Sequence, residues 1–69
     1  MRKELASAIQ LADMIADNIG ASDVEVIIRK DHAYGWQPSV VRAPGDLIGF
    51  QRRAEDIANR LRVRFDLRD

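Results

Sequence analysis

Asp23-Val24-Glu25-Val26-Ile27-Ile28-Arg29-Lys30 is the stretch where the period of the chain changes. Upstream, apolar residues recur every three or four positions; here they recur every second one. Val24, Val26 and Ile28 alternate with Glu25, Ile27 and Arg29, and β-branched residues dominate. That pattern predicts a strand with one buried face. Ile27 is out of phase, an apolar residue among the charged residues of the other face.

Working back from this strand, Lys3 to Ile19 reads as one amphipathic helix. Leu5, Ala8, Ile9, Ala12, Ile15, Ala16 and Ile19 form its stripe, with Leu11 at the edge. Gln10, Asp13, Asp17 and Asn18 lie opposite, Met14 falls on that polar side, and Gly20 stands where a helix ends with positive φ.

Working forward, Lys30-Asp31-His32 reads as a turn and Ala33 to Arg42 as a second strand, surest from Ser39 to Arg42. Pro38 removes a ladder donor, which favours an edge position. The facing of this strand stays open, because Trp36 and Val40 share one parity and Val41 has the other. Ala43-Pro44-Gly45 breaks the chain, Asp46 is a good N-cap, and Leu47 to Leu61 repeats the helical stripe through Leu47, Phe50, Ala54, Ile57, Ala58 and Leu61. Arg62 to Asp69 closes the chain as a third strand, with Val63, Phe65 and Leu67 alternating with Arg62, Arg64, Asp66 and Arg68.

The expected fold is α+β in the order α-β-β-α-β, a single domain over residues 1–69. Two helices, each with one apolar stripe, cover one face of a three-stranded antiparallel sheet. Strand order 2-1-3 places the proline-bearing strand at an edge; order 1-2-3 is the alternative.

Composition limits what such a domain can do. Of 69 residues, eleven are Lys or Arg and eleven Asp or Glu, so the formal charge is zero. No apolar run approaches a membrane span. No basic stretch leads into an apolar one, so no signal peptide and a cytoplasmic location are expected. There is no cysteine and one histidine, His32. Disulfides, thiolate chemistry and an ordinary zinc site are therefore not expected, and neither is a cofactor. A chain this short buries only about 60% of its unfolded surface. Surplus apolar residues then point toward a partner.

Four features of the sequence bear on chemistry. Arg29, Arg62, Arg64 and Arg68 project from the open sheet face, and with Tyr34 or Trp36 they could contact nucleic acid. A solvated face of mixed charge is the plainer reading, since binders carry a basic excess. Here the excess is local: seven basic and five acidic residues from Arg42 onward, four and six before it. Ile27, Trp36 and Tyr34 are the candidate interface, with Met14 and Ile48 also fitting the core stripes poorly. Asp31, His32, Tyr34 and Ser39 hold the residue types of a hydrolase, but nothing in their spacing makes them converge. Asp46 at the start of the second helix reads as a cap that would repel an anion rather than as part of a phosphate site.

Val41-Arg42-Ala43-Pro44-Gly45-Asp46-Leu47-Ile48-Gly49 resembles the Pro-Gly-x-x-Ile-Gly lead into the nucleic-acid loop of KH domains. The α-β-β-α-β order is similar to the type II form of that fold. Gly49 is followed by Phe50-Gln51-Arg52, so the second glycine of the family's Gly-x-x-Gly loop is absent and no binding residue carries over. The chain as a whole resembles short bacterial conserved hypothetical proteins without assigned activity; this rests on composition and Gly35-Trp36-Gln37-Pro38 and implies no mechanism. The functional expectation is a non-catalytic protein-interaction or self-associating domain, a homodimer, with no catalytic or metal-ligating residue. Nucleic-acid binding through the arginine-bearing face or a degenerate KH-like surface is the alternative.

Overall fold

The computed structural model describes residues 3–33 and 35–68. The chain runs β1 (Glu4–Ala6), α1 (Ala8–Ile19), β2 (Glu25–Asp31), β3 (Gly35–Arg42), α2 (Leu47–Leu61) and β4 (Phe65–Leu67). The class is α+β with two helices, but the expected three-stranded antiparallel sheet does not form. β2 and β3 make a two-stranded antiparallel sheet, and β1 and β4 a two-stranded parallel one. Strand order 2-1-3 is thus overturned: a strand precedes the first helix, and the last strand pairs with it instead of with β2.

The extra strand exists because Ser7 stops the helix from starting earlier. Its backbone is extended (φ −74°, ψ 162°). Its hydroxyl accepts from the Gln10 N–H at 3.1 Å, while the Gln10 side-chain oxygen accepts from the Ser7 N–H at 2.9 Å. This capping box fixes Ala8 as the first helical residue. Glu4, Leu5 and Ala6 are left extended, opposite Phe65, Asp66 and Leu67. The ladder is extended at both ends by Glu4 N–H to the Arg64 carbonyl and Arg68 N–H to the Ala6 carbonyl, both 2.8 Å.

β4 cannot reach β2. α1 packs on β2 and α2 packs on β3. Only Arg62, Val63 and Arg64 join α2 to β4, a link of about 10 Å at full extension. That link delivers β4 to β3, against which it packs.

β3 still does not accept β4 as a ladder partner, because side chains from α2 occupy its outer edge. The Gln51 amide donates to the Pro38 carbonyl at 3.0 Å and accepts from the Val40 N–H at 2.7 Å. The Arg62 Nε donates to the Trp36 carbonyl at 2.8 Å. Gln51 therefore does for β3 what a neighbouring strand would do, and no further strand can bond there.

The core joins Leu11, Ile15 and Ile19 of α1 to Val26, Trp36 and Val40 of the hairpin and to Ala54 and Ala58 of α2. Ala54 and Ala58 are fully buried and their small side chains let α2 lie close. The α1 stripe is rotated from its expected place: Leu11, expected at its edge, is fully buried with Ile15 and Ile19, while Ile9 is exposed, as is Leu5 in β1. Val63, expected inside, is in the turn before β4 and exposed. Gly20 ends α1 at φ 77° and Gly35 closes the hairpin turn at φ 87°, both in the left-handed region where a Cβ would be strained.

Candidate interaction surfaces

Register decides the facing of β3. Val26 lies opposite Val40, Ile28 opposite Pro38 and Lys30 opposite Trp36. Val26, Trp36, Pro38 and Val40 are all buried, so this face turns toward the helices. Trp36 is 0% exposed. Its indole Nε1 donates to the Phe65 carbonyl at 3.2 Å, and the Arg62 guanidinium stands 5.2 Å from the ring centroid. Trp36 therefore leaves the candidate interface. It is the largest core residue and holds β4 to the hairpin.

The same knot employs Arg62. Besides the Trp36 carbonyl it donates to the Asn59 side-chain oxygen. One expected nucleic-acid contact is thereby a structural arginine. The others are exposed on different elements. Arg29 is exposed on β2; Arg64 is exposed with its guanidinium 5.4 Å from the Phe65 centroid; Arg68 is exposed just past β4. Tyr34 lies outside the described residues.

Ile27 faces away from both helices. Its neighbours in sequence, Val26 and Ile28, pack into the core, and Ile27 does not. It is half-buried, across from Ser39. Exposed Glu25 and Arg29 flank it on the same face. Among the described residues neither of these charges makes an ion pair within the chain. An apolar centre between a carboxylate and a guanidinium is a self-complementary row, and only the out-of-phase Ile27 hinted at it in the sequence. The sequence pattern places Arg29 among the candidate nucleic-acid contacts and Glu25 only on the charged face of the strand.

The remaining candidates settle more simply. The hollow along the hairpin is lined by Arg29, Lys30, Asp31, Gln37, Ser39 and Gln51, and His32 is not among them. His32 is exposed in the turn. Asp46 is the cap of α2, its side chain accepting from the Ile48 N–H at 3.1 Å. Gly49 faces this carboxylate so closely that a Cβ would sit 3.0 Å from it, which gives the glycine its reason. Met14 packs against the core, while Ile48 is exposed with Leu47 in the first turn of α2. Among the described residues no group of acidic or histidine side chains could hold a metal ion, and no helix is long and apolar enough to cross a membrane.

No family model, curated protein or solved structure matches the chain.

Proposed function

We propose that this chain is a small non-catalytic interaction domain that associates with itself as a homodimer. One observation carries the reading. β2 has a strand on one side only among the described residues, and its central outward residue is Ile27, an isoleucine placed where a hairpin normally shows water a polar side chain. A domain of this size gains most from covering such a strip. A cytoplasmic setting belongs to the same proposal, which a cysteine-free chain suits and fractionation tests.

Sedimentation equilibrium from micromolar to millimolar concentration tests it. A reversible monomer–dimer transition is the expected result; a monomer at every concentration overturns it. Nucleic-acid binding, through Arg29, Arg64 and Arg68 or the KH-like lead at Pro44-Gly45, draws on exposed arginines but on no net basic charge. Salt-dependent capture of a single-stranded oligonucleotide would favour that reading instead.

A further inference from the structure

We propose that two copies join edge to edge through β2, antiparallel, with Glu25 opposite Arg29 and Ile27 opposite Ile27 on a two-fold axis. The inference rests on the self-association reading and names its surface and register.

The hairpin itself shows which backbone groups are on offer. Pro38 has no N–H, and its carbonyl turns away from β2 to Gln51; the Val40 N–H does the same. Pro38 with Ile28 and Val40 with Val26 are thus the pairs of the hairpin that exchange no backbone hydrogen bonds. Val26 and Ile28 must then direct their own N–H and C=O groups toward the outer edge. With the β3 edge closed by Gln51 and Arg62, this is the edge of the hairpin sheet still able to take a strand.

A second copy uses these groups when Val26 meets Ile28 of that copy and Ile28 meets its Val26. Everything else in the register follows. Ile27 falls opposite Ile27 in a pair without backbone hydrogen bonds, where side chains approach most closely. Glu25 falls opposite Arg29 on both sides of the axis, so two attractive pairs bracket the isoleucines. Sliding the strands by two residues sets Glu25 against Ile27 or against Asp31, and the match is lost. The segment Glu25-Val26-Ile27-Ile28-Arg29 is, in charge and polarity, its own antiparallel complement.

The helix layer admits this pairing. α1 packs on β2 and α2 on β3. Asn18 of α1 lies beside Arg53 and Ile57 of α2, so that flank of α1 faces its neighbour helix. The opposite flank carries Ala8, Ala12 and Ala16, all half-buried, and with α1 on β2 and α2 on β3 it is the flank on the side of the open edge. Two copies of α1 meeting over the axis would meet through alanines, which permit a close helix approach. The result is a four-stranded sheet in the order β3-β2-β2-β3, helices on one side.

Charge reversal and mixing test the register. E25R places arginine opposite arginine twice, and R29E places glutamate opposite glutamate twice. Each variant alone should dimerise about tenfold more weakly than the parent or worse, from two cross-strand pairs turned repulsive. An equimolar mixture should dimerise as tightly as the parent, because both pairs are attractive in the mixed dimer. The double variant E25R/R29E should also recover. Trp36 fluorescence reports that each variant is folded. On the parent chain, amide exchange should slow with concentration at Val26 and Ile28 and stay unchanged at Ile27, whose N–H already bonds β3. If both variants dimerise like the parent, if mixing restores nothing, or if Val26 and Ile28 gain no protection, this interface is wrong while self-association stands. A parent chain that never dimerises overturns the self-association reading itself.

Discussion

Replacing Gln51 with alanine should cost this domain a large part of its stability, although Gln51 is a polar helix residue. Its amide makes two bonds to the β3 backbone, at 2.7 and 3.0 Å, and one to Glu55 at 2.8 Å. Each backbone bond contributes about 1 kcal/mol net. Truncation also strands the Val40 N–H and Pro38 C=O in a part-buried groove, where water replaces the amide only in part. The expected loss is about 2–3 kcal/mol. A chain of 69 residues has about 3–10 kcal/mol in all. The corresponding fall in Tm is about 10–20 °C. Urea titration followed by Trp36 fluorescence measures it, at one low protein concentration so that association does not enter. Q51E is the control: it can still accept from Val40 but cannot donate to Pro38, and it faces Glu55, so most of the loss should remain. A loss under about 0.5 kcal/mol for Q51A, the range of an ordinary surface change, would refute the account of Gln51 as a surrogate strand.

Arg62→Ala should destabilise by about 2 kcal/mol, since it removes the bond to the Trp36 carbonyl and the contact with the ring. Arg62→Lys should recover little of that, because an ammonium lacks the planar fork and face; equal urea midpoints for Lys and Arg would contradict the geometry. Ser7→Ala should cost about 1 kcal/mol and speed amide exchange at Gln10, whose N–H loses its acceptor. Ala58→Leu should overfill the seat of α2 and cost about 1–3 kcal/mol by the same titration; a neutral result would mean the helix can ride outward freely.

The parts of the fold that local pattern specifies were legible. The alternation around Val26 gives β2, the Asp46 cap and following stripe give α2, and Gly20 ends α1 as expected. β1 was missed because Leu5 and Ile9 fall at helical spacing with Ala12 and Ile15. A three-residue strand has too few positions to show a period of two. The signal that separates it from the helix was present in Ser7-Ala8-Ile9-Gln10, whose first and last residues form the capping box. The partner of β4 was not legible, since it depends on where α2 lies and on what Gln51 and Arg62 do to the β3 edge. These are tertiary facts without a local trace. Of the candidate interface, Ile27 was found by its broken phase. Trp36 was left open because Val40 and Val41 give strand-two parity both ways, and the extra residue Val41 at the irregularity opposite Glu25 and Val26 is the cause.

The parallel pairing of β1 with β4 also sets an order of events. Glu4 meets Phe65 about 60 residues away, whereas Asp31 meets Gly35 across a short turn. Closing the long loop costs about 3.6 kcal/mol of chain entropy and the turn about 1 kcal/mol. Three residue pairs repay that larger cost only after the helices and hairpin have already brought the two segments together. The pairing is therefore expected to close after the hairpin and to open before it, which faster amide exchange at Glu4 and Arg68 than along β2 and β3 would show. Opening it would let the Phe65 carbonyl leave the indole of Trp36, so the pairing is a clasp that ties the last strand to the largest residue of the core.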